Sequence, residues 1–539
     1  AGLCALTACS AQSTLGERAA YPGANDVDEN GATACGATAC YAGFHCAFDE
    51  CVPDAPPPSP SAAAGLDPLA SGRYVFSLEV DNRRLVRIDS AELTVAAFAA
   101  GLAPMDVAVI GSRETSIVLD GMDLVEVLDH RVVDPVATAW PTARSLSHLV
   151  VSPSGDHVIA YYDWDDPRAQ ERQSEPGNIN QVSVLYLGAA EGGLSEDDVR
   201  LRGVTVGFLP RDVRFAVNGE HAVVISRDTL TPIQLSDVAG DVALAAAPVS
   251  FDEAAAEILI DDTAAHAVVR YPDDPRVDVL ELASGTARCF LAASPVADTA
   301  FARDGRLAVL FGDGVAQSLA LVALVDAAEV CTPLIAQLAV GTATRIELSN
   351  ANDLGLAFAP TLTTETVWRL NLAELTATAL PLEKAAAAVA FASDGETLLI
   401  VNLKKDGVPA WNPQMEDPEE SIDKSYGVTW LDLVTSAHRL VVSNTPFGAF
   451  AFVPALAGNA AATYQSLPDP VAPQLLRIAH RPGFDDRWIE LAGRPLQMGY
   501  LPLTERVYVT EEHPWGRVTF LDPAGATLRH VTGFALEVQ

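Results

Sequence analysis

The chain carries one short pattern many times, and this repetition restricts its fold more than any other feature of the sequence. Four copies align by eye, each with a strand, a tight turn containing glycine, a charged residue and a β-rich strand: SPSGDHVIAYY, AVNGEHAVVIS, ARDGRLAVLFG and ASDGETLLIVN. Their turn glycines are Gly155, Gly219, Gly305 and Gly395. Glycine suits this place because such turns often require a positive φ. From residue 73 onward, short apolar runs between Gly, Asp, Asn and Pro predict strands rather than helices.

The spacing of the turns indicates the size of the repeating unit. Weaker copies of the pattern place the turn at five further positions, which are Arg113, Ala264, Asn352, Gly458 and Thr504. Most neighbouring turns are about 41 to 47 residues apart, the length of one four-stranded propeller blade. The unit after residue 72 has only three strands, and residues 533–539 remain as a single strand at the other end. Joining these two pieces makes a tenth unit and closes a ring without a large free sheet edge.

This repeating body resembles bacterial β-propellers of the WD-like type, although Trp-Asp does not recur at the ends of the units. The resemblance covers residues 72–539. It implies an all-β fold: a β-propeller of about ten (8–10) four-stranded blades, closed by the C-terminal strand and preceded by a small disulfide-rich module. A smaller ring and two separate rings are the alternatives.

The start of the chain suggests a lipid anchor. Residues Leu6, Thr7, Ala8 and Cys9 resemble the bacterial lipobox, in which a small residue precedes a cysteine that is lipidated and becomes the mature N-terminus. We therefore expect residues 1–8 to be a signal-peptide remnant and residues 9–30 to be the lipidated Cys9 with a flexible tether. Several acyl chains on one cysteine hold a protein durably at a membrane. The alternative is an exposed or disulfide-bonded cysteine on a frayed terminus.

Four cysteines lie close together in the next segment, residues 31–54. Cys35, Cys40, Cys46 and Cys51 fall within 17 residues, too few to build an apolar core, which favours two disulfides in any of three pairings. Zinc is the alternative, but the segment has no CxxC pair. The segment resembles the small Cys-rich modules behind the lipobox in lipoproteins of myxobacteria and their relatives. A Pro/Ala-rich linker, 55–71, follows it.

Two further features concern metals and cysteines. Asp26, Asp28 and Asn30 match the start of a calcium loop, but Ala37 stands where an EF-hand has glutamate, so only a partial calcium site is predicted. Calcium is thus the one candidate cofactor. Cys289 and Cys331 are predicted to form a third disulfide or to be buried thiols.

The charge and the motifs exclude some functions. The chain has 71 acidic and 34 basic residues, which give a net charge of -37. Nucleic acid is therefore not an expected partner, because binding to its phosphates needs clustered Lys and Arg. The sequence contains no HExxH, GxSxG, P-loop or CxxCH motif, and we assign no catalytic residue. His157, His221 and His266 recur just after the turn, which predicts a repeated structural role rather than metal binding.

Two insertions mark the candidate binding surface. They are residues 163–180 and 404–425, after the second strand of the third and eighth units, so in a ring of ten they stand opposite each other beside the channel mouth. The predicted binding residues are Asp163, Trp164, Asp165, Asp166, Trp411, Glu416, Asp417 and, in the equivalent loop of the last unit, Trp515. Exposed aromatic side chains bury large area at a low cost in rotamer entropy. The alternative is two solvated loops whose tryptophans pack on the blade beneath.

Together these features predict a non-enzymatic lipoprotein of the cell envelope. We expect an outer-membrane lipoprotein, attached to the membrane through its lipid anchor, whose propeller acts as a binding or scaffold platform for an envelope protein or glycan. The alternative is a propeller enzyme, a hydrolase or dehydrogenase, with a calcium-assisted site at the channel mouth.

Overall fold

The protein is described by a computed structural model. It describes residues 68–534 apart from 112–113, 132–134, 167–168, 170–177, 189–198, 240–246, 253, 256, 408–417, 456–457, 466–473, 481–483, 514 and 523–527. Within residues 33–53 it also describes the backbone of four short strands.

The body is a ring of ten antiparallel blades, which confirms the predicted all-β propeller. Blade 1 consists of β5 (Leu69–Ser71), β6 (Tyr74–Glu79), β7 (Arg84–Asp89) and β8 (Val95–Ala99). Blade 2 consists of β9 (Pro104–Ile110), β10 (Thr115–Asp120), β11 (Leu124–Asp129) and β12 (Thr138–Pro141). Blade 3 consists of β13 (His148–Val151), β14 (His157–Tyr161), β15 (Gln181–Tyr186) and β16 (Arg200–Thr205). Blade 4 consists of β17 (Pro210–Phe215), β18 (His221–Ser226), β19 (Thr229–Gln234) and β20 (Val249–Ser250). Blade 5 consists of β21 (Glu257–Ile260), β22 (His266–Arg270), β23 (Arg276–Glu281) and β24 (Thr286–Leu291).

The second half of the ring repeats the same arrangement. Blade 6 consists of β25 (Val296–Phe301), β26 (Leu307–Gly312), β27 (Gln317–Val322) and β29 (Leu338–Ala339), with β28 (Thr332–Pro333) lying between the last two in sequence. Blade 7 consists of β30 (Arg345–Leu348), β31 (Leu354–Phe358), β32 (Thr366–Asn371) and β33 (Thr376–Pro381). Blade 8 consists of β34 (Ala386–Phe391), β35 (Thr397–Asn402), β36 (Tyr426–Asp432) and β37 (His438–Ser443). Blade 9 consists of β38 (Phe447–Ala455), β39 (Gly458–Gln465), β40 (Gln474–His480) and β41 (Asp485–Leu491). Blade 10 consists of β42 (Arg494–Leu501), β43 (Arg506–Glu512), β44 (Arg517–Leu521) and β45 (Leu528–Thr532). Two short α-helices, Leu235–Ala239 and Pro418–Lys424, and a single 3-10 turn, Leu324–Asp326, interrupt this pattern in the described part of the chain.

The repeated glycines stand where the sequence pattern predicts, between the first and second strands of their blades. Gly155, Gly219, Gly305 and Gly395 all have a positive φ, between 68° and 79°. Each also closes its turn by donating its N–H to the carbonyl three residues earlier. Ala264 occupies the same place in blade 5 with a φ of 53°. The turn geometry is therefore kept even where the glycine is not.

The core is divided among the interfaces between blades. In β10, Ile117 and Leu119 pack toward blade 3, whereas Val118 between them packs toward blade 1. This alternation follows from the pleat of a strand, which points successive side chains to opposite faces of the sheet. The described residues form ten such apolar clusters, one at each of the ten interfaces, including the interface between blade 10 and blade 1.

The ring closes differently from the prediction. The expectation that residues 533–539 supply the inner strand of the first blade is wrong for that position, because β5 already occupies it and pairs with β6. Blades 1 and 10 instead meet through buried side chains, among them Val75 and Phe520. The Arg84 guanidinium donates from Nη2 to the carbonyl oxygen of Phe534 at 2.6 Å, across the contact between these blades. Residues 535–539 lie outside the described part.

One blade carries an additional strand on its outer edge, held by a disulfide. The segment between β27 and β29 leaves blade 6 and places β28 parallel to β24 of blade 5. Cys289 in β24 and Cys331 are joined by a disulfide bond, with their Cα atoms 4.5 Å apart. The predicted third disulfide is thus present, and it fixes a strand that covers the edge of blade 5.

The cysteine-rich segment contacts the propeller. Its strands are β1 (Thr33–Cys35), β2 (Thr38–Cys40), β3 (Phe44–Ala47) and β4 (Glu50–Pro53), which form two hairpins. β2 pairs in parallel with β45, so blade 10 belongs to a sheet of six strands. The sulfur positions of these four cysteines lie outside the described part, and their pairing stays a prediction. Among the helices that the structure describes, none has the length and apolar character needed to cross a bilayer.

Candidate functional site

The predicted binding residues that the structure describes, which are Asp163, Trp164, Asp165, Asp166 and Trp515, lie on loops of one face of the ring. Strands within each blade are antiparallel, so the loop between the second and third strands opens on the same side as the connection to the next blade. We call this side the mouth face. The two long insertions follow β14 and β35, so both lie on the mouth face, and as parts of blades 3 and 8 they are five blades apart.

The insertion of blade 3 begins with a half-buried tryptophan. The Trp164 indole packs edge-on against Tyr162, with the ring centres 5.0 Å apart. Its Nε1 donates to the carbonyl oxygen of Asn178 at 3.0 Å, and its backbone N–H points to the carbonyl of Pro210 at 3.4 Å. Trp164 therefore connects the two ends of its own loop to the start of blade 4, so part of its surface is used for packing.

Acidic side chains flank this tryptophan. The Asp163 carboxylate accepts the backbone N–H of Asp165 at 2.9 Å, which turns the chain so that the Asp165 side chain is 68% exposed. Asp165 lies 3.6 Å from the Arg211 guanidinium of blade 4. Burial raises the pKa of Asp163, and the nearby carboxylates of Asp165 and Asp166 raise it further. This side of the mouth face is therefore rich in negative charge.

A histidine and an aspartate meet beside this acidic group. His148 Nδ1 lies 3.0 Å from the Asp106 carboxylate of blade 2, and the pKa of His148 is raised chiefly by this hydrogen bond. Asp106 also accepts the backbone N–H of Leu149 at 2.8 Å. The edge of the His148 ring faces Tyr161 at 5.4 Å.

A contact equivalent to the Asp106–His148 pair occurs between blades 6 and 7, which indicates that the pair has a structural role. In blade 6, Asp298 accepts the backbone N–H of Ile346 at 2.8 Å and lies 3.5 Å from the Arg345 guanidinium of blade 7. Asp106 and Asp298 both follow an irregularity in the inner strand of their blade, and both bind the first two residues of the next inner strand. The Asp106–His148 pair thus matches the contact of Asp298 with Arg345 and Ile346, and each links two successive blades.

The insertion of blade 8 is anchored by a buried lysine. The Lys384 ammonium donates to the carbonyl oxygens of Ile422 and Asp423, at 3.0 and 2.8 Å, where the helix Pro418–Lys424 ends. Lys384 is 1% exposed, and burial lowers its pKa. Cations are stabilised at helix C-termini, where carbonyl groups lack partners within the helix. The predicted binding residues Trp411, Glu416 and Asp417 lie outside the described part.

Trp515 takes part in holding the end of the chain. It lies between β43 and β44, and its ring packs edge-on against His513 at 5.2 Å. Its carbonyl oxygen accepts the backbone N–H of Gly533 at 3.0 Å. A Cβ on the neighbouring Gly516 would come within 2.6 Å of the Phe534 ring. This loop therefore contributes to the contact between blades 10 and 1.

A group of exposed apolar side chains on the mouth face was not predicted from the sequence. Leu102, Met122, Ile179 and Phe208 are 63%, 57%, 45% and 49% exposed, respectively. They stand on loops of blades 1 to 4, and hydrogen bonds link each of these loops to the next one. We call these loops the mouth arc, and they comprise residues 100–103, 121–123, 142–147, 178–180 and 206–209.

Buried aspartate and backbone groups hold the mouth arc in shape. The Asp120 carboxylate, 2% exposed, accepts the N–H groups of Leu102, Ala103 and Met122 at 2.7 to 3.1 Å. It leaves no space for a side chain at Gly101, where a Cβ would lie 2.1 Å from Asp120 Oδ2. The backbones of Leu102 and Met122 are therefore held by the same carboxylate.

The same kind of link continues toward blade 4. Asp123 accepts the N–H of Ser145 at 2.8 Å, and the Asn178 side chain donates to the carbonyl of Arg144 at 3.1 Å. The N–H of Leu209 donates to the carbonyl of Ile179 at 2.7 Å. The backbones of the loops that carry Phe208 and Ile179 are thus hydrogen-bonded to each other. The signal for these residues in the sequence was slight, since single exposed apolar residues are common on protein surfaces.

The predicted lipidation and calcium-binding residues fall in the N-terminal segment. Cys9, Asp26, Asp28 and Asn30 lie outside the described part. In the part that the structure describes, no three His, Cys, Asp or Glu side chains are grouped so that they could hold a metal ion. His157, His221 and His266 each begin the second strand of their blade, as the repeat predicts.

Comparisons with known proteins add little beyond the fold. No family model matches the chain, and no curated protein matches it. Similar solved structures include one titled as the eukaryotic initiation factor, 10% identical over 78% of this chain and 95% of that one, with a TM-score of 0.44. The C-terminal WD40 domain of Sif2 is 12% identical over 68% of this chain and 93% of that one, with a TM-score of 0.36. Dihydro-heme d1 dehydrogenase NirN is 13% identical over 73% and 82%, with a TM-score of 0.34. At such low identity and TM-score, these similarities carry no inference about activity or partners.

Proposed function

We propose that this propeller is a non-enzymatic binding platform and that the mouth arc is its contact surface for a protein partner. The observation that carries the proposal is that four exposed apolar side chains stand on successive loops of one face, and that hydrogen bonds hold the backbone of these loops; they are Leu102, Met122, Ile179 and Phe208. Because the backbone of these loops is already held by hydrogen bonds, the loops need no ordering when a partner covers them, and the entropy cost is limited to the rotamers of the exposed side chains.

The charges beside the mouth arc indicate the chemistry of the partner. Asp163 and Asp165 lie at the edge of the arc, and the raised pKa of Asp163 reflects a burial that a partner's ammonium or guanidinium group would compensate. The whole chain has a net charge of -37, which attracts cationic partners from a distance. We therefore propose a protein segment that carries apolar side chains next to Lys or Arg, in preference to a glycan.

Peptide selection tests this proposal. Peptides selected from a random library on the full chain should combine basic and apolar residues. Full burial of a large apolar side chain is worth about 1.5–3 kcal/mol, so each half-exposed arc residue is worth roughly 1 kcal/mol. The double variant Met122→Ser/Phe208→Ser should then weaken binding by about 2 kcal/mol, roughly 30-fold.

The control is Val217→Ser, which changes a 66% exposed valine in the turn between β17 and β18, on the opposite face. Its affinity should equal that of the unmodified protein. Selected peptides that lack basic residues, or that bind the double variant and the unmodified protein equally, would refute the mouth arc as the contact surface.

We also propose that the platform belongs to the cell envelope, attached to the outer membrane through acyl chains on Cys9. The support is the lipobox-like sequence of residues 6–9 and the cysteine-rich segment behind it. Mass spectrometry of the native N-terminal peptide tests the anchor. A diacylglyceryl-modified Cys9 at the N-terminus is expected, and an unmodified Cys9 with residues 1–8 attached would overturn it.

A further inference from the structure

We infer that β33, the outer strand of blade 7, is a binding site that adds an extended peptide segment of another protein to its free edge. The inference rests on the pairing and the charge of this strand and is independent of the mouth arc. An outer strand presents N–H and C=O groups on its free side, and these groups can bind an added strand. Most proteins therefore cover such edges, shorten them or place charges in them.

Eight of the ten outer strands have one of these protections. β24 and β45 each pair with a further strand, which is β28 or β2. β12, β20 and β29 have only two to four residues. β16, β37 and β41 contain charged side chains. In the part of the chain that the structure describes, β8 and β33 are the two outer strands without any of these protections.

The pairing of β33 with β32 shows which backbone groups point outward. Leu382, which directly follows β33, donates its N–H to the carbonyl oxygen of Glu365 across the ladder at 2.8 Å. Residues of an antiparallel strand face its neighbour alternately, so Ala377, Ala379 and Pro381 face away from β32. Because proline has no N–H, two N–H groups and three carbonyl groups of these residues remain for an added strand.

The side chains of β33 leave its edge accessible. The strand has the sequence TATALP, and four of its six residues are exposed. None of these side chains is long or charged, so none shields the backbone of the edge. Strand addition takes its affinity from the main chain, and an exposed edge of this length offers enough groups for a short extended segment.

Acidic residues stand at both ends of β33. Glu374 precedes the strand and Glu383 follows it. Glu365, opposite Leu382 in the ladder, lies at the same end as Glu383. The Glu383 side chain is 53% exposed and has His438 of blade 8 at 3.4 Å. These carboxylates favour an added segment that is uncharged in its middle and carries Lys or Arg at its ends.

The same charges disfavour a second copy of this chain as the occupant. Antiparallel pairing of two β33 strands would bring Glu374 of one copy near Glu383 of the other, and like charges at opposing positions are destabilising. The net charge of -37 adds repulsion between copies. β8 differs in this respect, because Glu92 precedes it and Arg83 lies beside its other end, so its charges favour neither sign.

Binding of a synthetic peptide to the full chain tests this inference. The probe is the peptide KKTVTVTVKK with blocked ends, and its control has glutamate in place of each lysine. Calorimetry measures the affinity, and hydrogen exchange at single-residue resolution reports where the peptide binds. In the free protein, the amides of Ala377 and Ala379 should exchange faster than the amide of Thr378, which faces β32.

We expect the lysine peptide to slow exchange at Ala377 and Ala379 and to bind at least about tenfold more tightly than the glutamate peptide. Ala379→Pro should weaken binding at least about fivefold, because it removes an outward N–H and leaves those that bind β32. Pro381 already occupies such an outward position in β33. The matched control is Ala97→Pro in β8, which also removes an outward N–H and should leave the affinity unchanged.

A second variant tests the charges without altering the backbone of the edge. Glu374→Lys/Glu383→Lys should weaken binding of the lysine peptide and strengthen binding of the glutamate peptide, a reversal that loss of folding would not produce. An unchanged preference in this variant would overturn the inference.

Three other results would also contradict the inference. Slow exchange at Ala377 and Ala379 in the free protein would mean that another part of the chain already covers the edge. Equal weakening by Ala379→Pro and Ala97→Pro would mean that the peptide does not bind specifically at β33. A dimer in analytical ultracentrifugation that Ala379→Pro dissociates would mean that the occupant is a second copy.

Discussion

Asp298 offers a quantitative test of how blades are tied together. Its carboxyl group is 4% exposed and faces Glu257 of blade 5 as well as the Arg345 guanidinium of blade 7. Burial, the largest cause, raises the pKa of Asp298 from 3.8 to about 6, although the N–H of Ile346 acts in the opposite direction. The folded state therefore favours the protonated form of this group.

The sign of the pH dependence follows directly. A raised pKa in the folded state contributes stability that is fully present below the unfolded value of 3.8 and is lost as the pH rises through about 6. The difference of about two units corresponds to roughly 3 kcal/mol. The variant Asp298→Asn keeps an oxygen that can accept the Ile346 N–H but does not ionise, so it avoids this loss.

Urea titrations followed by tryptophan fluorescence between pH 4 and pH 7.5 test this prediction. The free energy of unfolding of Asp298→Asn, minus that of the unmodified protein, should rise by about 2–3 kcal/mol across this range. The control is Asp313→Asn: Asp313 is fully exposed, and the N–H groups of Ala316 and Val315 lower its pKa, so its difference should change in the opposite direction. A difference for Asp298→Asn that is constant or falls with rising pH would refute the reasoning, because it would mean that Arg345 and Ile346 favour the ionised carboxylate.

Three further predictions concern the mouth arc, the outer strand of blade 5 and a buried histidine. Gly101→Ala should lower the free energy of unfolding by more than about 1 kcal/mol in urea titrations. The control is Gly305→Ala, which should have a smaller effect, because Gly305 also has a positive φ but a Cβ there would meet nothing within 4 Å. Equal effects of the two substitutions would contradict the role of Asp120. Replacing both Cys289 and Cys331 by alanine should lower the free energy of unfolding by about 4 kcal/mol, since the disulfide closes a loop with a sequence separation of 42. An unchanged free energy of unfolding would show that β28 stays paired with β24 without the disulfide. Burial lowers the pKa of His130 to about 4, so its imidazole NMR signals should stay constant from pH 8 to 5.5, and a midpoint near 6.5 would show that the ring is solvated.

Much of the architecture follows from the sequence because a propeller blade is a local structure. The turn pattern around Gly155, Gly219, Gly305 and Gly395 predicts strands, turns and unit length together, since all of these depend on residues close in the chain. The spacing of these turns also predicts that each of the two insertions follows the second strand of its blade. The disulfide between Cys289 and Cys331 was one of two alternatives, and the structure decided between them.

The features that the sequence did not reveal involve contacts between distant segments. β5 has only three residues, too few for a recognisable alternation, so its place as the inner strand of blade 1 was missed and the C-terminal strand was assigned instead. The pairing of β2 with β45 joins residues almost 500 positions apart and depends on which edge the ring leaves open. No local pattern encodes such an edge.

The sequence by itself therefore determined the repeating unit, an approximate number of blades (8–10) and the loops that are enlarged, because period and turn chemistry depend on neighbouring residues. Only the tertiary structure decided how the ring closes and which side chains share its mouth face. Leu102, Met122, Ile179 and Phe208 are spread over more than 100 residues of sequence. They stand on the same face because successive blades repeat the same strand order, and Asp120 and Asp123 bind the backbone of their loops.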